Sequence, residues 1–301
     1  MKILSWNIRG MGSDVKISEL RRIIRVNRIE VVVIQETKKD DFSDLEIGRI
    51  WFDDEFDFRF SKAVGRAGDI ITVWDKSRFQ LEDSFIQSRL ILIRGKCTLD
   101  LSIYSLVNVY APCDSSEQLS LWFEVESLRR TNNSRWFFGG YFNSSMLFEI
   151  EAREVENSKL LDMPLTGRKF TWFGPGNRRN RLDRIFVEED WFKENSEATL
   201  WGLPREVSDH IPIILGKEMI DWGPRPFKII NAWLNQESCT EVIKETLELD
   251  AINDKDLFAK PRRVEGALKK WNKECFGTID TEAQKMEAWI NELDTKRDYM
   301  I

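Results

Sequence analysis

Residues 1–37, MKILSWNIRGMGSDVKISELRRIIRVNRIEVVVIQET, decide the fold class. The first twelve are a short apolar run closed by Gly10 and Gly12. Apolar residues then recur at Ile17, Leu20, Ile23 and Ile24, the spacing of one helix face. VVVIQET is a β-branched run of the kind that fills a strand buried on both faces. The reading is strand, helix, strand. Working outward, further strands are expected at FDFRFSK (56–62), DIITVWD (69–75), LILIRGK (90–96), YSLVNVYAP (104–112), RWFFGGYFN (135–143), RLDRIFV (181–187) and IPIIL (211–215), with one clear helix between them at SEQLSLWFEVESLRR (116–130). Dominant strands with interspersed helices imply an α/β fold of two sheets flanked by helices rather than a single parallel sheet.

The 301 residues suffice for one large domain plus an appendage. A net charge of −6 with 32% charged residues gives no bulk attraction to nucleic acid or membrane, so any nucleic-acid binding rests on local patches. Cys97, Cys113, Cys239 and Cys275 are far apart and form no C-x-x-C pair, which points to a reducing compartment and against a disulfide framework or zinc site. No apolar stretch reaches the roughly 18 residues of a membrane helix. A nuclear or cytoplasmic protein without a membrane partner is expected.

The character changes near residue 217. DWGPRPFKIINAWLNQE (221–237) carries Pro224 and Pro226 and reads as a connector, after which charged sequence has helical periodicity around Val242, Leu247, Leu268, Trp271, Ile290 and Leu293. The expected division is a main domain over 1–216 and a linker with helical tail over 217–301.

Several apolar runs end in a polar residue at what should be one edge. LSWN ends at Asn7, VVVIQE at Glu36, LVNVY at Tyr110 and FFGGYFN at Asn143, while RLD supplies Asp183 and SDHIP supplies Asp209 and His210, the one histidine. Each has a plain structural alternative: Asn7 organising a turn, Glu36 beginning a loop, Tyr110 covering the core edge, Asp183 pairing at the surface with Arg184 or Arg181. Together they suggest more, because carboxylates suit Mg²⁺, which takes one or two of them plus water and substrate phosphate. An imidazole buttressed by an Asp, such as Asp183 with His210, can donate to a phosphate oxygen as charge develops.

In their order and spacing, LSWNIRG, VVVIQETK, VNVYAP, GG-Y-FN, FTWFG, RLDRIFV and SDHIP resemble the endonuclease/exonuclease/phosphatase superfamily, and most of all the apurinic/apyrimidinic-like endonuclease domain of plant LINE-type (non-LTR) retrotransposons. GPRPFKIINAWL and LKKWNKECFG look like the segment that joins endonuclease to reverse transcriptase in those elements; no reverse transcriptase is present in this sequence. The resemblance implies a four-layered α/β sandwich and a Mg²⁺-dependent (or Mn²⁺-dependent) phosphodiesterase acting on DNA. Carried over by position, it implies that Glu36 binds the metal with help from Asn7, that Asp209 lies beside it and that Tyr110 contacts the phosphate. Asn143 would position the attacking water, and Asp183 would orient His210, which stabilises the transition state. Arg9 stands where DNA-repair members carry an Asp, a position relaxed in the retrotransposon branch.

Tyr141 departs from the pattern. The family motif places an Asp between the glycine pair and Phe-Asn, where it orients or deprotonates the attacking water. A carboxylate of pKa about 3.9 is an acceptor at neutral pH, whereas a phenol of pKa about 10 is mainly a donor, and it is larger. One base change converts an Asp codon to a Tyr codon, which fits decay of a mobile-element copy. A second departure follows: only 17 residues separate Asn143 from Leu161, where the family has a longer segment with a helix. Four functions compete: a working endonuclease, an impaired descendant, a domesticated nucleic-acid-binding module using Arg178, Arg179 and Arg181, and a small-phosphoester phosphatase.

Overall fold

A computed structural model describes residues 1–62, 69–132, 134–142, 159–217, 237–253, 263–264, 266–271 and 292. These fall in two compact units, one within residues 1–220 and the other within 221–293.

In the first unit, β1 (Ile3–Asn7), β2 (Val31–Gln35), β3 (Phe56–Ser61) and β4 (Ile70–Asp75) share a seven-stranded sheet with β10 (Leu165–Thr166), β14 (Thr199–Gly202) and β15 (Ile213–Gly216), in the order β10-β14-β15-β1-β2-β4-β3. The second sheet joins β5 (Phe79–Gln87), β6 (Leu90–Cys97), β7 (Ile103–Tyr110), β8 (Arg135–Tyr141), β13 (Asp183–Glu188) and β9 (Leu160–Asp162), in the order β5-β6-β7-β8-β13-β9. β11 (Trp172–Phe173) and β12 (Arg179–Asn180) form a separate two-stranded ladder. Both sheets are mixed: β1 runs parallel to β2, and β7 to β8, while most other neighbours are antiparallel.

Side-chain alternation explains the layering. Val31 and Val33 point into the core between the sheets, where they meet Ile91, Ile93, Leu106, Phe137 and Ile185 of the second sheet. Val32 and Ile34 point the other way and pack with Leu20, Ile23 and Ile24 of α1 (Asp14–Asn27) and with Ile47 and Ile50 of α2 (Asp44–Ile50). On the far side of the second sheet, Leu90, Leu92, Val107 and Phe138 pack against Val125, Leu121 and Trp122 of α3 (Ser115–Thr131). A strand buried on both faces has no polar side to show, which is why VVVIQ and LILI read as continuous apolar runs. The result is helix, sheet, sheet, helix, the expected α/β sandwich.

The structure corrects the expectation of a single helix after β2. α2 is capped by Ser43 and Glu46 in a reciprocal capping box, and α4 (Glu189–Glu194) follows β13. Both are too short to display a helical period, although S-x-x-E at 43–46 was the available signal. β5 and β14 also lie outside the expected strands. Asp183 opens β13 rather than closing a strand, because β13 runs antiparallel to β8.

In the second unit, α5 (Glu237–Asn253) contributes Cys239, Val242 and Ile243 to an apolar cluster with Val264, Leu268 and Trp271. Trp271 Nε1 donates to Ser238 Oγ at 3.2 Å. Leu247, expected on this apolar stripe, is exposed instead. Ile290 and Leu293 lie outside the described residues.

Candidate active site

β1 and β2 run parallel in register, Asn7 beside Gln35, so Glu36 is the first residue past the sheet edge. The ladder continues into the loops: Gly10 N donates to Glu36 O at 2.6 Å and Met11 N to Thr37 O at 2.8 Å. Arg9, Glu36 and Lys38 all have left-handed backbone, with φ of 49°, 53° and 54°. Such conformations are uncommon for residues with a Cβ and persist where neighbours over-determine them. Here the buried Asp69 carboxylate accepts from Lys38 N and from Thr37 Oγ1, tying down the segment that carries Glu36.

The other sheet delivers a row of three. Tyr110, Tyr141 and Asp183 are register partners on adjacent strands β7, β8 and β13. Gly140 makes the parallel pairing of β7 and β8 possible here: its φ is 149°, and a Cβ would lie 2.0 Å from Val109 O. The rings of Tyr110 and Tyr141 stack with centroids 5.2 Å apart and an interplanar angle of 21°. Tyr141 also meets the His210 ring edge-on at 5.5 Å.

His210 Nδ1 lies 2.8 Å from Asp183 Oδ2, and both side chains are buried, at 3% and 0% exposure. The surface pairing of Asp183 with Arg184 or Arg181 is therefore not what the chain uses; both arginines bond Asp162 instead. The residues around His210 were not legible as a site. Trp6 Nε1 donates to His210 O at 3.1 Å, Ser208 Oγ donates to Asn7 O at 3.0 Å, and His210 N donates to Ser208 Oγ at 3.2 Å. Thr171 Oγ1 accepts from Leu182 N and Asp183 N, each at 3.0 Å. Trp172 Nε1 donates to Asp209 Oδ2 at 3.0 Å. The motif FTWFG held the signal, since Thr171 and Trp172 are its polar-capable members.

Glu36 is the meeting point of the two sheets. Its Oε1 accepts from Asn7 Nδ2 at 2.9 Å and from the Tyr110 hydroxyl at 3.2 Å. Its Oε2 lies 3.7 Å from Arg9 Nε, and the same guanidinium donates through NH1 to Asp209 Oδ2. Asn7 also organises a turn, its Oδ1 accepting from Arg9 N at 3.2 Å. Asn7, Glu36, Tyr110, Tyr141, Asp183, Asp209 and His210 thus form one connected group, and Asn143 lies outside the described residues.

The electrostatics follow from these contacts. Burial alone would push the His210 imidazolium down, but the Asp183 carboxylate outweighs it and the net direction is up from the ordinary imidazole value. Burial, reinforced by Asp183, raises the Tyr141 phenol. Burial, reinforced by Glu36, likewise raises that of Tyr110. Both tyrosines are therefore neutral hydroxyls throughout the neutral range.

Among the described residues no three His, Cys, Asp or Glu side chains are grouped so as to hold a metal by themselves. The donor set nonetheless fits a hard divalent cation in type: two carboxylates, Glu36 and Asp209, face one guanidinium charge, and Mg²⁺ commonly takes one or two carboxylates with water and substrate oxygens completing its shell.

Residues 4–210 match the Endonuclease/Exonuclease/phosphatase family, and the chain belongs to it. No curated protein matches the sequence. Among solved structures the chain is similar to the AP endonuclease LMAP of Leishmania major, at 17% identity and a TM-score of 0.51, covering 71% of this chain and 86% of that one. Truncated TDP2 of Caenorhabditis elegans is 16% identical with a TM-score of 0.51, over 71% and 95% of the two chains. A mannosyl-6-phosphatase of Bacteroides thetaiotaomicron is 12% identical with a TM-score of 0.53, over 72% and 98%. At these identities the likeness establishes the fold, which nucleases and a sugar phosphatase share. Among the described residues no helix is long and apolar enough to cross a membrane.

Proposed function

We propose that this chain is a retrotransposon-derived, Mg²⁺-dependent DNA endonuclease of the plant LINE type whose activity is impaired by Tyr141. The observation that carries the impairment is the position of Tyr141 in the row Tyr110, Tyr141, Asp183, stacked on one neighbour and edge-on to His210. An acceptor at that point would face the reacting water. The phenol instead stays protonated, since burial pushes its ionisation up, and offers a donor where an acceptor is needed.

The remaining roles are those the family resemblance implies, and the contacts of the described residues are compatible with them. Glu36 and Asn7 would hold the metal, with Asp209 beside it, and a bound Mg²⁺ or Mn²⁺ would supply Lewis-acid polarisation of a phosphoryl oxygen. Tyr110, whose hydroxyl donates to Glu36 Oε1, would contact the substrate phosphate. Asn143 positions the attacking water. Asp183 fixes the imidazole through Nδ1 and favours its protonated form, so His210 donates from its other nitrogen as negative charge builds on the phosphoryl oxygens. Nicking of supercoiled plasmid by purified protein across a Mg²⁺ titration tests this reading. The expected result is weak nicking that is abolished by Glu36→Gln, and no Glu36-dependent nicking at any Mg²⁺ concentration would leave the second reading.

That second reading is a non-catalytic nucleic-acid-binding module. It is favoured by cations lying over aromatic rings around the β11 and β12 ladder: Arg179 over Phe170 at 5.2 Å, Lys169 over Phe170 at 5.8 Å and Arg205 over Phe173 at 4.7 Å. Arg181, bound to Asp162 and Met163 O, serves the fold instead.

A further inference from the structure

Arg9 is fixed at its backbone and half free at its side chain. Its amide donates to Asn7 Oδ1 at 3.2 Å, its carbonyl accepts from Lys16 Nζ of α1 at 2.9 Å, and Lys16 Nζ also donates to Ile8 O at 2.7 Å. The side chain, 49% exposed, lays its guanidinium between Glu36 and Asp209. The other donors to these two carboxylates, Asn7 and Tyr110 on Glu36 and Trp172 on Asp209, are all neutral. Among the described residues Arg9 is therefore the cation in direct ion-pair contact with both carboxylates, while Lys16 and His210 act on them from further off.

We propose that Arg9 is a resident counter-cation of the Glu36 and Asp209 pair, which a divalent metal has to displace, so that it sets the metal affinity of the nucleic-acid-free protein. This rests on the reading of Glu36 and Asp209 as metal-holding residues. The pair offers two negative charges, and with the guanidinium in place an incoming cation meets a net charge of about −1 instead of −2. The guanidinium also covers the oxygens that the metal would use. Displacement is feasible because the guanidinium is half exposed and partly screened by solvent, although its carboxylate partners are more buried. No backbone need move, since the Lys16 and Asn7 contacts hold the turn and not the side chain. The released guanidinium is a planar fork matched to phosphate oxygens, so the substrate itself offers it a second partner.

The test is Mn²⁺ binding to the full chain without nucleic acid, followed through the electron paramagnetic resonance signal of free Mn²⁺. Arg9→Gln should bind Mn²⁺ about tenfold or more tightly than wild type, since it removes a charge a few ångströms from the ligand. Arg9→Lys keeps the charge and should stay near wild type, and near-ultraviolet circular dichroism checks that each variant is folded. The gain should disappear when Glu36→Gln is added. Unchanged or weaker binding by Arg9→Gln, with Glu36→Gln still abolishing binding, overturns the role of Arg9 and leaves the metal reading standing. Binding that is absent in wild type and in Arg9→Gln, or indifferent to Glu36→Gln, overturns both.

Discussion

The two sheets supply the site with different kinds of group. On the β1 and β2 side, Asn7 and Glu36, joined by Asp209, present carboxylate charge that a guanidinium offsets in part. On the β7, β8 and β13 side, Asp183 holds His210, which arrives from the segment before β15, in a buried pair that Tyr141, stacked on Tyr110, meets edge-on. The first half carries acceptors that a cation can use, whereas the middle of the second half carries a donor. On the proposed function, such a site would keep its charge-stabilising groups while its water-activating position is filled by a residue that packs well and accepts poorly.

The largest expected effect breaks this contrast. Tyr141→Asp restores an acceptor between Tyr110 and Asp183 and reduces the bulk there, so Mg²⁺-dependent plasmid nicking should rise by about 10²-fold or more. The gain should vanish on adding Glu36→Gln or His210→Ala, because a base without charge stabilisation has little to act on. Wild-type protein that nicks as fast as the revertant would show Tyr141 to be harmless. A folded but inactive revertant would move the cause to the short segment after Asn143.

A smaller effect concerns how the halves are held together. Gln35, the neighbour of Glu36, donates through Nε2 to Asn108 Oδ1 at 2.8 Å, and Asn108 Nδ2 donates across to Ile71 O at 2.9 Å. Asn108 lies on β7, so this buried amide pair joins the sheets two residues below Tyr110. Asn108→Ala strands the Gln35 donor and the Ile71 acceptor and should cost about 1 to 3 kcal/mol in urea unfolding. A change below about 0.5 kcal/mol would show that the apolar core alone sets the inter-sheet contact.

Much of this was legible in the sequence and some was not, for reasons of physics. Both-faces-buried strands such as VVVIQ announce themselves as unbroken apolar runs, and the polar residues that follow them stand out by contrast. The groups that position those residues are less visible. Thr171, Ser208, Trp6 and Trp172 act through one or two hydrogen bonds, most of them to residues far away in the chain, and a sequence shows no period for such contacts. Asp69 supports the Glu36 loop from 33 positions away in the chain, with no local signature at all. Arg9 was read only by the residue it replaces in relatives, whereas its bridging role depends on where Asp209 arrives from the far end of the domain.

The pH dependence of the Asp183 and His210 pair gives a third, milder test. The folded imidazolium is held above its ordinary value, so its contribution to stability is fully present below the unfolded pKa of about 6.5 and is lost as pH rises through the folded value. The stability difference between wild type and His210→Gln should therefore be larger at pH 6 than at pH 9. A difference that grows with pH instead would mean the imidazole is buried neutral and the pair is a simple hydrogen bond.

The smallest expected effect compares the two compact units. The second carries its own apolar cluster of Cys239, Leu268 and Trp271, and its first residues include Pro224 and Pro226, which suit a connector and not a continued core element. β15 ends at Gly216, paired through its length with β14, and its inner neighbours are supplied by the first unit. Ending the chain after Gly216 should leave the melting transition of the first unit within about 2 to 4 °C, the shift that roughly 1 kcal/mol produces in a domain of this size. The truncated protein should also keep the Glu36-dependent Mn²⁺ binding of the full chain, because Asn7, Arg9, Tyr110 and Trp172, the described groups that touch Glu36 or Asp209, lie before that point. A loss of more than about 10 °C would show that residues after 216 complete the core of the first unit. Retained melting with lost Mn²⁺ binding would instead show that they contribute to the site.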